Sequence, residues 1–281
     1  MPELPEVETT RLGLIPALVG KKIARVQVFR RDLRQPIPAN FEQLLEGKSV
    51  QTIRRRAKYL LLDMPENLSI LAHLGMSGTF QTITPAQYNL RTHDHVMLTL
   101  KDGSGVVFHD PRRFGLLLPY IRSEEALHPL LKHLGSEPLS DDFTPEYLAA
   151  ALARRKGAIK PVLMQQEMVV GVGNIYASES LFRANIHPDT PAHKAAKHAE
   201  FLVKSIQETL RDALESGGST LRDYVRSSGD SGYFQHQFRV YERAGEPCFD
   251  CSTTIEHSVH AGRSTYWCPQ CQPLRAYRKK T

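Results

Sequence analysis

The sequence predicts an α+β protein of more than one domain. An antiparallel β-sandwich comes first, a helical domain follows, and a small four-cysteine hairpin ends the fold. Three observations predict it. Short apolar runs recur at regular intervals through the first half of the chain, helical periodicity takes over after a polar stretch near residues 134–144, and all four cysteines lie together near the C-terminus. A chain of 281 residues is also long for a single domain. The expected divisions are 1–134, 135–236 and 237–273, with a basic tail over 274–281.

The first element is a helix over 5–18. Pro5 and Glu6 suit a first helical turn, and Val7, Leu14 and Leu18 fall on one face. Strands are predicted at 23–30, 50–54, 59–62, 68–74, 96–100, 106–109 and 116–121. Gly47, Pro65-Glu66-Asn67 and Asp102-Gly103 punctuate them. Short strands at this spacing suit a sandwich. Leu134–Thr144 is polar and holds Gly and Pro, so it reads as an interdomain linker. Thr144-Pro145-Glu146 then supplies an N-cap with Pro at the first helical position. Helical patterning continues to Ser216, broken at 171–173 and 187–191, and the Ser/Gly-rich stretch 227–232 leads to the cysteines.

Charge narrows the class of partner. Lys and Arg number 36 against 30 Asp and Glu, a net charge of +6 that favours a polyanion. No apolar run is long enough to span a bilayer, and the N-terminus has neither a basic n-region nor an apolar h-region. A cytoplasmic, nucleoid-associated location is the expectation, and in a reducing compartment the cysteines are not expected to form disulfides.

Cys248-x2-Cys251 is followed, after sixteen residues, by Cys268-x2-Cys271. Two such pairs can converge as four thiolates on one tetrahedral Zn²⁺. A closed four-thiolate site offers no open position to a substrate, so the metal folds the segment and takes no part in catalysis. Arg263 lies on the intervening hairpin, where a cation can meet phosphate.

The chain opens Met1-Pro2-Glu3-Leu4-Pro5-Glu6. If Met1 is trimmed, Pro2 presents a secondary amine one residue from a carboxylate. An amine beside an acid is the equipment for Schiff-base chemistry on an aldehyde-like carbon. Alone, this motif reads better as an ordinary Pro-rich surface terminus, since many chains begin Met-Pro.

Six separated motifs then agree. They are Pro2–Thr9, Arg56-Ala57-Lys58-Tyr59-Leu60, His73–Gly78, Asp110-Pro111-Arg112-Arg113-Phe114-Gly115, Val172–Ala177 and the four-cysteine ending. Together the chain resembles the formamidopyrimidine-DNA glycosylases from Pro2 to about Pro273. His109 and Gln165 depart from the family pattern, which favours Asn and Asp there. The resemblance implies a helix–two-turns–helix in the helical domain and a zinc finger at its end. The partner it implies is double-stranded DNA containing oxidised bases or abasic sites, bound by a monomer. It makes Pro2 the nucleophile on the sugar C1′ and Glu3 the acid/base. Glu6 would order the terminus, and Lys58 would stand at the damaged nucleotide. An enzyme acting on C1′ must extrude the nucleotide from the stack. Met76, Arg112 and Phe114 match the wedge that fills the gap. His73, Arg113, Lys160, Asn174 and Arg263 match DNA contacts, and 220–233 matches a lesion-capping loop with Ser219, Thr220 and Tyr224 as candidate readers.

The implied activity is a bifunctional glycosylase and abasic-site lyase for oxidised purines, cleaving by β,δ-elimination. Two alternatives stay open on the sequence. One is an endonuclease VIII-like enzyme preferring oxidised pyrimidines. The other is a non-catalytic zinc-dependent DNA-binding protein.

Overall fold

A computed structural model describes residues 1–219 and 234–274. The loop predicted at 220–233, with Thr220 and Tyr224, and the tail beyond Leu274 lie outside the described residues. The chain forms two compact units, Met1–Lys132 with Leu214–Gln235 and His133–Ala213 with His236–Thr281.

The first unit begins with helix α1 (Leu4–Leu18), whose Val7, Leu14 and Leu18 are buried as their spacing predicts. Strand β1 (Ile23–Val28), helix α2 (Phe41–Leu45) and strands β2 (Thr52–Arg56), β3 (Tyr59–Asp63) and β4 (Leu68–His73) follow. Then come β5 (Thr79–Ile83), β6 (Asp94–Leu100), β7 (Gly105–His109) and β8 (Leu116–Ile121). They make two four-stranded antiparallel sheets, ordered β1-β6-β7-β5 and β2-β3-β4-β8. Ile23, Val26, Phe80, Val96, Leu98, Val106 and Phe108 of one sheet share a core with Ile53, Leu60, Leu62, Ile70, Ala72 and Leu117 of the other. Leu14 and Leu18 of α1 and Phe41 and Leu45 of α2 join that core. Each large side chain buried here contributes ~1.5–3 kcal/mol relative to exposure.

The sequence reading missed α2 and β5. A five-residue helix is shorter than any periodicity test needs. In β5 only Phe80 is buried, so no alternating pattern marks it.

The second unit holds helices α3 (Pro145–Ala153), α4 (Ile159–Leu163), α5 (Asn174–Arg183), α6 (Ala192–Ala195) and most of α7 (Ala199–Glu215), then the hairpin of β9 (Glu256–His260) and β10 (Arg263–Trp267). Thr144 caps α3 as predicted, accepting from the Tyr147 N–H at 3.2 Å. A run of turns over 164–173 links α4 to α5. The polar stretch 134–144 is no free tether. Gly135 N donates to Gln166 O at 2.8 Å, Ser136 bridges Val169, and Phe143 is buried. A Cβ on Gly135 would stand 2.4 Å from Met168 O, so glycine is required for that close approach. No helix among the described residues is long and apolar enough to cross a membrane.

Candidate active site and zinc centre

At the start of α1, Glu3 and Glu6 close a reciprocal capping box. The Glu3 side chain accepts from the backbone N–H of Glu6, and Glu6 Oε2 accepts from Glu3 N at 2.8 Å. The exchange satisfies donors that a helix start leaves open and fixes the direction of the chain at Pro2. Pro2, Glu3 and Glu6 are all buried, whereas Met1 is half exposed. The other oxygen of Glu6 accepts from Ser219 twice, from N at 2.8 Å and from Oγ at 2.9 Å. A single carboxylate therefore ties the chain terminus to the segment that enters 220–233. Gly218, at φ +80°, leaves room for it, because a Cβ there would lie 3.1 Å from Glu6 Oε1.

Lys58 sits on the two-residue turn between β2 and β3, where Arg56 pairs with Tyr59. Ala57 takes φ +55° in that turn, a left-handed conformation that costs a side-chain-bearing residue roughly 1–2 kcal/mol. Lys58 itself is buried. Tyr59 pairs in register with His73 on β4, and their rings lie 4.9 Å apart. Burial first, and then the charges of Lys58 and Arg34, push the His73 pKa down to about 4. The ring is thus neutral at neutral pH. Its Nδ1 accepts from Gly75 N at 2.9 Å, which leaves the proton on Nε2 as a donor.

The loop after β4 and the loop after β7 pack against each other. A Cβ on Gly75 would meet the Phe114 carbonyl carbon at 2.4 Å, and one on Gly115 would meet Phe108 at 2.7 Å. Buried Asp110 organises the pair. Its Oδ1 accepts from Ser77 Oγ at 2.9 Å and its Oδ2 from Gly115 N at 2.8 Å, while its carbonyl oxygen meets His95 Nε2 at 2.7 Å. Phe114 is 45 % exposed on this scaffold, and the Arg112 guanidinium lies 5.2 Å from its ring centroid. Met76 is partly buried on the facing loop. Arg113 holds φ +57° and pairs with Asp32 at 2.5 Å, so a phosphate there would have to share or displace that carboxylate.

In the second unit, Gly173 caps α5 and Asn174 begins it. Gln166 braces the glycine turn, accepting from Gly171 N at 2.8 Å and donating to Val172 O at 3.0 Å. Asn174 Oδ1 is buried with no partner among the described residues, and its Nδ2 is 3.5 Å from Tyr241 Oη. A helix N-terminus carries partial positive charge and suits an anion. Buried Glu179, farther along α5, accepts from the N–H groups of Arg239, Val240 and Tyr241 at 2.8–3.0 Å.

Lys160, expected as a DNA contact, lies buried within the second unit. It is 1 % exposed, and its Nζ donates to Ser264 O at 2.7 Å and Thr265 Oγ1 at 2.9 Å. An ammonium taken out of water needs fixed acceptors, and here strand β10 supplies them. Lys160 staples α4 to the hairpin, at whose tip Arg263 is exposed after the turn residues Ala261 and Gly262.

The four cysteine sulfurs converge within 4.8 Å of one another, and all four thiols are free. Cys251 to Cys268 is 3.4 Å, Cys251 to Cys271 is 3.5 Å and Cys248 to Cys271 is 3.9 Å. Four thiolates at ~2.3 Å from a tetrahedral zinc stand about 3.8 Å apart, so the cage fits the ion. These residues hold one structural Zn²⁺. Phe182, Val240 and Ile255 pack around it. Gln272 locks the far side, accepting from Cys268 N at 3.0 Å and donating to Ile186 O at 2.8 Å.

Asp110, Ser77, Glu179, Gln166 and the Glu6–Ser219 link were not singled out as positioning groups in the sequence. The signal for Asp110 was present, since an Asp two residues before a pair of arginines is a turn organiser. Ser77, Glu179 and the Glu6–Ser219 link act across long sequence separations and leave no local trace, whereas Gln166 acts within its own turn.

Three family models match consecutive parts of the chain. They are the formamidopyrimidine-DNA glycosylase N-terminal domain over 1–117, the H2TH domain of the same enzymes over 134–225, and the zinc finger found in FPG and IleRS over 245–274. The formamidopyrimidine-DNA glycosylase of Rhodopseudomonas palustris (strain TIE-1) is 46 % identical, across 97 % of this chain and all of its own. That of Legionella pneumophila (strain Philadelphia 1) is 48 % identical, across 98 % of this chain and 99 % of its own. Among solved structures, MutM (Fpg) from Thermus thermophilus superposes with a TM-score of 0.85 at 39 % identity, covering 96 % of this chain and 98 % of that one. Lactococcus lactis Fpg in complex with abasic-site DNA gives 0.89 at 32 % identity, covering 97 % and 100 %. The three family models run consecutively along the chain, the relatives match it over nearly their whole length, and the chain belongs to the formamidopyrimidine-DNA glycosylase family.

Proposed function

We propose that this DNA glycosylase removes oxidised purines, chiefly 8-oxoguanine and formamidopyrimidines, and then cleaves the abasic strand by β,δ-elimination. The observation that carries the reading is the capping box that fixes Pro2 and Glu3 at the head of α1. With Met1 removed, the Pro2 nitrogen attacks C1′, the glycosidic bond breaks, and the base departs with its electron pair and a proton. Glu3 donates a proton to the ring oxygen as the sugar opens to an iminium. It then shuttles protons while the 3′ and 5′ phosphates leave in turn. Glu6 holds the terminus in register, and Lys58 stands at the damaged nucleotide. Neutral His73 donates from Nε2 to phosphate, Asn174 and exposed Arg263 hold the backbone, and Met76, Arg112 and Phe114 fill the vacated stack. Arg113 exchanges Asp32 for a phosphate. Lys160 serves the DNA through the hairpin. Tyr224, outside the described residues, belongs to the loop proposed to cap the extruded base. Support comes from the Lactococcus lactis Fpg complexes with abasic-site and Fapy-dG DNA.

The test is borohydride trapping on a duplex carrying 8-oxoguanine opposite cytosine, with Met1-trimmed protein beside Pro2→Gly. We expect a covalent adduct that depends on Pro2 and, without reductant, strand cleavage. An adduct on an oxidised pyrimidine alone would replace the purine reading with the endonuclease VIII-like one. Tight binding without any adduct would leave a binding protein.

A further inference from the structure

One ion network in the first unit joins the helix that carries Pro2 to the turn that carries Lys58. Glu8 lies on α1 about one and a half turns past Glu3. Its carboxylate accepts from Arg11 Nη2 at 2.7 Å and from Arg55 Nε at 3.0 Å. The Glu8 and Arg55 side chains are only 18 % and 14 % exposed. Arg11 reaches onward to Ile53 O at 3.1 Å, so the helix is held against β2 as well. The second arm of Arg55 matters most: Nη1 donates to Ala57 O at 3.1 Å. That oxygen belongs to the peptide linking Ala57 to Lys58. Ala57 occupies the left-handed region at φ +55°, and such a conformation persists only where surrounding contacts over-determine it.

We propose that Arg55, anchored by Glu8, is the positioning residue that sets Lys58 against the N-terminal nucleophile. Fixing the Ala57 carbonyl fixes the plane of the 57–58 peptide, and with it the direction in which the Lys58 side chain leaves the turn. Anchoring the same guanidinium on α1 refers that direction to the helix that presents Pro2 and Glu3. The task needs arginine. A planar fork delivers donors to two acceptors at a fixed angle, whereas a lysine ammonium is a point donor on a flexible stem. The inference rests on the proposed function, because it takes Lys58 to stand at the reacting nucleotide.

The experiment measures single-turnover excision at saturating lesion duplex for the Met1-trimmed protein, Arg55→Lys, Lys58→Met and the double variant. Binding to undamaged duplex and thermal unfolding are measured beside it. We expect Arg55→Lys to slow excision about 10- to 100-fold, the scale of a small misplacement, with affinity for undamaged duplex held within about twofold. In the Lys58→Met background the same substitution should change the rate less than about twofold, since a residue acting through Lys58 has nothing left to position. Glu8→Gln keeps an acceptor for Arg55 and should cost only a few-fold, which guards against an Arg55 variant that fails to fold. Wild-type excision rates in both Arg55→Lys and Glu8→Gln, or an Arg55 effect undiminished by Lys58→Met, would overturn the proposal. A Pro2-dependent borohydride adduct in the parent protein is the separate check on the chemistry. Its absence would overturn the proposed function and this inference with it, whereas its presence beside undiminished Arg55 effects would overturn this inference alone.

Discussion

His73 shows how burial decides the chemistry of a single residue. Its ordinary pKa of 6.5 falls to about 4 through burial and the nearby Lys58 and Arg34 charges. The site therefore gains a neutral donor where a sequence reading suggests only a basic group. The sign of the pH dependence follows. Between pH 6.5 and about 4 the unfolded chain binds a proton that the folded chain does not. This contribution to stability is complete above pH 6.5 and is lost as pH falls toward 4, at up to ~1.4 kcal/mol per pH unit. Urea midpoints between pH 7.5 and 4 should decline, and His73→Asn should flatten the decline. An equally steep decline in the variant would refute the assignment. The carboxylates act at lower pH. Burial pushes Glu8 and Asp63 up, but Arg11 and Arg55 for Glu8, and Arg54 and Ser69 for Asp63, outweigh it and hold both below the usual range. Their contribution is present above about pH 4.5 and is lost as pH falls through the depressed values.

At the scale of elements, the recurring device is a turn or hairpin held by one buried charged side chain. Asp110 holds the loop of Arg112 and Phe114, Glu179 holds 239–241, and Lys160 holds β10. The first carries exposed Arg112 and Phe114, and the last braces the hairpin whose tip carries exposed Arg263. For Lys160 this gives a test that separates the staple from the metal. Lys160→Met removes the charge-assisted bonds to Ser264 and Thr265 and should cost about 1.5–3 kcal/mol of stability. Zinc should stay at one ion per chain by metal analysis. Affinity for abasic duplex should fall, and the slope of log affinity against log salt should lose about one as the Arg263 contact is released. An unchanged slope with lost affinity would mean that Lys160 serves some other contact.

For the molecule as a whole, the zinc cage and the basic charge make joint predictions. The cage residues share a small core with Phe182, Val240 and Ile255, too few apolar side chains to fold the hairpin without the ion. Chelation should unfold the hairpin and weaken DNA binding while the sandwich, with its own core, keeps its cooperative transition by circular dichroism. With zinc bound, affinity should fall steeply with salt, because each neutralised phosphate contributes roughly −0.9 to the slope. A salt slope unaltered by chelation would show that Arg263 and its hairpin do not touch the backbone.

Local chemistry was readable without coordinates. Val7, Leu14 and Leu18 marked the face of α1, Thr144-Pro145 marked the start of α3, and the two Cys-x2-Cys pairs marked the cage, because helical period, capping and metal-ligand spacing are written within a few residues. The β-sandwich followed from strand spacing, although α2 and β5 were too short or too mixed in pattern to be seen. The sequence by itself therefore determined the class of fold and the metal. Only the tertiary structure decided how the candidate site residues are held and which of them reach the surface. It turned Lys160 inward to Ser264, joined Glu6 to Ser219, and spanned Glu8, Arg55 and Ala57 with one guanidinium. The reason is physical. A buried charge must find hydrogen-bond partners wherever the packed chain offers them, and for Lys160, Glu6 and Glu8 those partners lie tens to hundreds of residues away, beyond the reach of any local pattern.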